Sequence, residues 1–389
     1  MAEPFEKKTY YALMLDPVHV GTGGYRLGRV DNTIVREPGT NLPKIPGSSI
    51  SGVARTYTAM AVQNEVTGND WEKKADGTFL KKELHKKMKY QRPRYKFADK
   101  AGLMLAIDTD DKPLIERDKD KDGEEIYDSC AGKGGEGGDS HCGEPDCEVC
   151  VPFGFSKKGN SFQGLAQFYD ARILFFPVHS MIGPVWVTSE STLNDFCETL
   201  KSQSIMVEID DRLDNDELIQ TELVDANKDL NLGWLLLKNK DKLKPIKNPI
   251  QHLPSEIVDR LVLVSDKLFS QIVNNNLEVR TSVAIVPATG AAEDGALFTY
   301  EAIPRATVMW FDVVYNKPEY FRINGDRPIL LAKPEGSFAN PLKVSCTDGQ
   351  INYMAFNVEK GLRYIESLGV GGMNTRGMGR VRVLNLGGA

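Results

Sequence analysis

Four of the chain's six cysteines, Cys130, Cys142, Cys147 and Cys150, crowd into one short stretch with the spacing C-x11-C-x4-C-x2-C. Cys147 and Cys150 share one tight turn, and the glycine-rich run GKGGEGG lets Cys130 and Cys142 close on them. The pattern predicts a tetrahedral zinc site and not two disulfides. The N-terminal MAEPFEKKTYYALML carries Glu3 and the charges Glu6 to Lys8 where a secretory leader needs an apolar stretch, so a reducing, cytoplasmic location is expected. His141 is an alternative fourth ligand. Four protein ligands leave no position open for water, which predicts a structural ion stapling a segment too poor in apolar residues to fold alone. Cys197 and Cys346 stand alone among apolar neighbours.

That segment, residues 67–160, reads as an insertion into a body made of 1–66 and 161–389, because surface insertions cost little loop-closure entropy. Its charge is uneven. Residues 108–128 hold ten acids against four bases, and residues 81–96 hold eight Lys or Arg against one Glu. The net charge of −6 argues on its face against a polyanionic partner, yet the acidic run accounts for all of it, and a partner feels local sign. DKDKDG at 118–123 opens like a calcium loop but has Ser129 where the bidentate Glu belongs, so it reads as a solvated charge run.

Apolar alternation predicts strands near 8–15, 166–176, 231–238, 279–287, 297–303, 306–315 and 379–386. Helical spacing appears in Ile50, Val53, Ala54 and Tyr57, in a stripe through Ile257, Leu261, Val264, Leu268 and Ile272, and over 352–367. The order lacks a βαβα rhythm, which predicts an α+β fold: a mostly antiparallel sheet with helices on one face. No apolar run is long enough to span a bilayer, and no membrane partner is expected.

Two features suit an anionic backbone. Pro46-Gly47-Ser48-Ser49 heads the Ile50 helix, whose first N–H groups are expected to point outward unpaired, with Ser48, Ser51 and Arg55 along one edge. An ordinary capped helix with a surface arginine fits equally. The run Gly369 to Arg380 places Gly371, Gly372 and Arg376 in a glycine loop, with Arg380 and Arg382 beside it and no acid within the run. It follows a helix and feeds a strand, the reverse of a dinucleotide fold. Asp31, a solitary acid, sits near Arg29 and Arg36.

Taken together, DPVHVGTGG (16–24), GRVDNTIVRE (28–37), LPKIPGSSISGVAR (42–55), PFGFS (152–156), FYDARILFFPVHSMIGPVWVTS (168–189), GALFTYEAIPRATVMW (295–310) and LGVGGMNTRGMGRVRV (368–383) resemble the RAMP superfamily, and within it the backbone subunit of type III CRISPR-Cas effector complexes, of Cmr or Csm type. The resemblance implies a modified ferredoxin-like (RRM-like) palm over 1–66 and 161–389, the zinc-stapled insertion, and a thumb β-hairpin over 278–300. It implies as partners a CRISPR guide RNA, complementary target RNA, further copies of the chain and other effector subunits. It maps the catalytic carboxylate onto Asp31, aided by Mg²⁺ or another divalent cation, with the target's 2′-hydroxyl attacking its own phosphate. Ser48, Ser49, Arg55, Gly371, Gly372 and Arg376 are the expected RNA contacts. The family position of Ser51 is often Lys, a departure that shifts phosphate binding onto Arg55 and the N–H groups. His19 and Glu301 are secondary candidates that also suit structural roles. The competing readings are a guide-binding scaffold that does not cut and a repeat-RNA-processing endonuclease of the same superfamily; a zinc-stabilised protein-interaction module is the reading outside RNA.

Overall fold

In the strand over Phe5–Met14 (β1), Tyr10, Ala12 and Met14 enter one buried cluster while Tyr11 and Leu13 enter another. Successive strand side chains point to opposite faces, so a run apolar at every position requires cover on both. The computed structural model describes residues 3–23, 30–68, 94–97, 104–107, 130–132, 141–143, 145, 147–157, 159–200, 213–221, 229–242, 250, 252–323, 325, 327–329 and 349–387. After β1 the principal elements are β2 (Lys44–Ile45), α1 (Gly47–Gly68), α2 (Cys150–Phe153, within the insertion), β3 (Ala166–Phe168), β4 (Ala171–Ser180), β5 (Gly183–Ser189), α3 (Glu190–Leu200), β6 (Glu217–Gln220), β7 (Leu230–Leu232), β8 (Leu235–Lys242), α4 (Ser255–Val258), β9 (Leu261–Val264), α5 (Asp266–Asn275), β10 (Glu278–Ile285), β11 (Ala292–Ala302), β12 (Val308–Asn316), α6 (Gly349–Leu368) and β13 (Val381–Val383).

The main sheet runs β7-β8-β6-β9-β5-β4-β12-β1-β13, with β2 paired to β4 and β3 to β12. Its ladders are antiparallel except β6 with β8 and β9 with β5. The fold is therefore α+β with a large, mostly antiparallel sheet. The helices do not keep to one face. Ile50 and Ala54 of α1 and Met354, Val358 and Leu362 of α6 share the cluster of Tyr10, whereas Leu193 and Phe196 of α3 join that of Tyr11. Phe196 meets Tyr11 edge-on at 5.7 Å between centroids. The expected one-sided cover is corrected by the second apolar face of β1 and β12, where Val308 and Trp310 lie opposite Met309 and Phe311.

The stripe from Ile257 to Ile272 is likewise not one helix. It breaks into α4, β9 and α5. Leu261 to Val264 are all buried, between β6 and β5, and the apolar residues at every position satisfy a strand as well as they satisfy a helical period. Ser265 then restarts the helix, its hydroxyl accepting the Leu268 N–H at 3.4 Å.

Strands β10 and β11 form a separate two-stranded antiparallel hairpin off the main sheet, with Val279, Val283, Ile285 and Leu297 exposed. Within 67–160, residues 94–97 pair with 104–107, and Val149 and Val151 beside the cysteines join the same core as β1. The basic run before residue 94, the acidic run 108–128 and Cys346 lie outside the described residues. Among the described residues no helix is long and apolar enough to cross a membrane.

Candidate functional site

Asp31 is held by the hairpin. Its main-chain N–H donates to Thr299 Oγ1 at 2.9 Å. Thr299 returns two donors to a single carboxylate oxygen, its N–H to Oδ2 at 2.8 Å and its hydroxyl to Oδ2 at 2.7 Å. Bonds from that hydroxyl, and then from that N–H, hold the exposed Asp31 carboxyl below the usual carboxylate range, so it is ionised at neutral pH. Among the described residues Oδ1 takes no hydrogen bond.

The rest of the Asp31 loop also hangs on β11. Asn32 N donates to Thr299 O and Glu301 N to Asn32 O, each at 3.0 Å. Glu301 is buried, pairs with Arg36 Nη2 at 2.7 Å and accepts the Ile34 N–H at 3.3 Å. Arg36 further reaches Asn274 Oδ1 at 2.9 Å and Ile34 O at 3.1 Å. This acid and this arginine brace the loop. His19 is buried as well, with Nδ1 2.6 Å from Glu301 O and its ring edge-on to Tyr300. A carbonyl only accepts, so Nδ1 carries the proton.

The glycine loop lies on the other side of His19. Gly372 N donates to His19 O at 2.8 Å. Gly371 has φ +82°, and a Cβ there would stand 2.3 Å from the same oxygen, so only glycine fits. Its three arginines are not alike. Arg380 pairs with Asp16, and Arg382 with Glu366 at 2.6 Å. The run itself holds no acid, and the fold supplies Asp16 and Glu366 from elsewhere. Arg376 is exposed and donates to Ser282 Oγ of the hairpin at 3.1 Å. Backbone bridges Val18–Ile303, His19–Gly372, Gly21–Ile34 and Asn32–Tyr300 join these pieces. The structure so brings together Asp31, His19, Glu301, Gly371, Gly372 and Arg376 at the hairpin root.

The start of α1 is less open than its sequence suggests. Gly47 N donates to Asp170 Oδ1 at 2.8 Å, and Ser49 N and Ile50 N turn back to Pro46 O at 2.9 and 3.2 Å. A protein carboxylate already serves this helix end. Lys44 Nζ neutralises Asp170 at 2.7 Å and reaches Glu37 at 2.8 Å. Ser48 remains exposed and Ser49 half-buried.

Further along α1, Arg55 is committed to the cysteines. Its Nε donates to Cys130 O at 2.9 Å, and Nη2 to Gly154 O at 2.7 Å and His141 Nδ1 at 3.1 Å. Burial, then the Arg55 charge, lowers the His141 pKa, which suits a neutral imidazole accepting at Nδ1. The ligand atoms of Cys130, Cys142, Cys147 and Cys150 all lie within 4.8 Å of one another. Cys150 Sγ is 3.7 Å from Cys142 Sγ and 3.7 Å from Cys130 Sγ, and its N–H donates to Cys147 Sγ at 3.3 Å. Four such thiols are placed to hold a metal such as zinc. Two residues to which the sequence alone gives no role, Thr299 and Asp170, do much of the positioning, and their partners lie 268 and 123 residues away in the chain.

The sequence pattern of the RAMP superfamily matches residues 13–382. Over 166 residues, 40% of this chain, the sequence is 28% identical to the CRISPR system Cmr endoribonuclease Cmr4 of Pyrococcus furiosus, and the match spans 56% of that relative's length. The fold is similar to a chain of the type III-B Cmr-beta complex bound to cognate target RNA, with TM-score 0.53, 13% identity and 98% of both chains covered. It is similar also to crystalline Cmr4, with TM-score 0.50, 18% identity and 98% and 100% of the two chains covered. The family match enters at the end of β1, runs through the Asp31 loop, the cysteines and the hairpin, and leaves at Arg382: this chain belongs to the RAMP superfamily.

Proposed function

We infer that the chain is a Cmr4-type backbone subunit of a type III CRISPR effector complex, which holds a guide RNA and cuts RNA paired with it. The observation that carries this reading is the exposed, ionised Asp31 carboxylate clasped at the root of a free-standing hairpin. The family match and the Cmr endoribonuclease among its relatives support it. Residues 1–66 and 161–389 are read as a modified ferredoxin-like palm, supported by helices laid across an antiparallel sheet; 67–160 as its insertion, stapled by zinc at the four cysteines; 278–300 as the thumb, supported by the two-stranded sheet β10–β11.

In this mechanism the target's 2′-oxygen attacks the adjacent phosphorus, loses its proton to solvent, and expels the 5′-oxygen of the next nucleotide, which takes up a proton. A 2′,3′-cyclic phosphate and a 5′-hydroxyl result. Asp31 presents Oδ1 to the reacting strand, while Arg376, the hydroxyls of Ser48 and Ser49 and the backbone around Gly371 and Gly372 face sugar and phosphate. A single carboxylate suits Mg²⁺, which keeps most of its water; held beside Asp31, it would neutralise charge developing on the phosphate. The hairpin bends the duplex toward in-line geometry.

The test is a reconstituted complex with guide and end-labelled complementary RNA in Mg²⁺. Asp31→Asn is expected to slow the evenly spaced cuts by on the order of 100-fold while target binding persists. Cutting at the parental rate removes Asp31 from the chemistry. A parent complex that binds target without cutting favours the scaffold reading, and cutting confined to repeat-containing precursor favours the processing nuclease.

A further inference from the structure

The geometry points to Thr299 as the positioning residue for the Asp31 carboxylate, through which the β10–β11 hairpin delivers that group to the strand being cut. The inference rests on the reading of Asp31 as the catalytic acid. An exposed aspartate on a loop samples several staggered side-chain rotamers, and a group free to do so seldom presents the same oxygen to a reacting phosphate. Here both donors from Thr299 fall on Oδ2, at 2.7 and 2.8 Å, which fixes the carboxylate plane and, among the described residues, leaves the other oxygen to act. The Thr299 hydroxyl works in both directions, accepting the Asp31 N–H at 2.9 Å and donating to Oδ2. Serine and threonine can do this, whereas valine, equal in shape, cannot.

The loop's backbone supports the same conclusion. Asn32 is bridged to Tyr300, and Glu301 pairs with Arg36, so the segment 31–36 is fastened to β11 at successive residues 299, 300 and 301. The hairpin is a sheet of its own. Asp31 consequently takes its position from β11, and a hairpin displaced on meeting a duplex carries the carboxylate with it.

Thr299→Val, Thr299→Ser and Asp31→Asn are compared in the reconstituted complex with guide RNA and labelled complementary RNA. Target binding is read by mobility shift, single-turnover cleavage at saturating target by gel, and the Mg²⁺ concentration for half-maximal rate by titration. Thr299→Val is expected to slow cleavage by about 10- to 100-fold and to raise the Mg²⁺ requirement severalfold, with binding within about twofold of the parent; Thr299→Ser is expected to restore the rate to within about threefold. Parental cutting by Thr299→Val beside a dead Asp31→Asn overturns the inference and leaves the catalytic assignment standing. Parental cutting by Asp31→Asn overturns that assignment instead. Equal losses in Thr299→Val and Thr299→Ser, or joint loss of binding and cutting, reduce Thr299 to a structural residue. If Thr299→Val fails to assemble, Thr299→Ala carries the same comparison with Thr299→Ser.

Discussion

Replacing Cys150 by Ser cuts the metal cluster at its hub. Cys150 Sγ stands 3.7 Å from two of the other sulfurs, and the widest separation within the set is under 4.8 Å. A tetrahedral zinc with arms of about 2.3 Å has ligand-to-ligand edges of about 3.8 Å, so the ion enters with the Cys150 edges unchanged and the longest edge drawn in by at most about 1 Å. Without an ion, hydrogen bonds within the cluster hold the Cys130 thiol well below its ordinary range and push Cys142 and Cys150 above theirs, so a cation must displace the protons that remain. Purified protein should therefore carry about one zinc per chain, and X-ray absorption should return four sulfurs near 2.3 Å. Val149, Val151 and the cysteines share the core of β1, so loss of the ion should destabilise the body without unfolding it. An ion present at a thousandfold its dissociation constant stabilises by about 4 kcal/mol. Spread over the unfolding entropy of a chain this long, that is a fall in Tm on the order of 5 °C. Cys150→Ser should lose the metal and show that fall, and a chelator should reproduce it in the parent. Metal-free parent protein whose Tm ignores the chelator, or a nitrogen at about 2.0 Å in the first shell, would refute the four-sulfur site, the second by placing His141 on the metal.

Arg55→Met should speed zinc transfer to a chromogenic chelator by about tenfold, since a zinc tetrathiolate is an anion and Arg55 is the cation bonded to Cys130 O, while guide affinity stays within about twofold; weakened guide binding with zinc retained would return Arg55 to the phosphates. Burial opposes ionisation of Asp170, but Lys44 and the Gly47 N–H outweigh it and hold the pKa below its ordinary value. The stabilisation is therefore complete above the unfolded value of about 3.9 and lost as pH falls through the lower folded one, so Asp170→Asn should flatten the acid limb of stability against pH in thermal melts.

Local signals carried far in this chain, and their failures share a cause. The α1 and α6 helices, β1, β12 and the hairpin strands were legible because each shows a clean period over ten or more residues or a bounded apolar run. The cysteines were legible because their partners lie within one short stretch. Strand β9 reads as helix in the sequence because Leu261, Val262, Leu263 and Val264 fit either period, and only the neighbouring strands β5 and β6 decide between them. The second helical layer is not legible in the sequence because Tyr11, Leu13, Val308 and Trp310 announce a buried face without saying what covers it. Asp31 could be found as a solitary acid, whereas nothing in the stretch around Thr299 singles that residue out, because its partner lies 268 residues away in the chain.

The arginines show how the fold sorts what a sequence leaves alike. Arg36 closes on Glu301, Arg280 on Glu278, Arg380 on Asp16 and Arg382 on Glu366. Arg55 spends its donors on two carbonyls and an imidazole. Of these glycine-loop and hairpin-root cations, Arg376 alone ends on a neutral hydroxyl, Ser282 Oγ, among the described residues. An arginine already paired with a carboxylate must break that pair to meet a phosphate, so its net gain is small; one resting on a hydroxyl gives up far less. The unspent positive charge is thereby set at the root of the hairpin, against β10, the strand paired with the one that carries Thr299. On the proposed reading, phosphate attraction and carboxylate placement act on the same short length of RNA, which is what a cut at a fixed position along a guide requires.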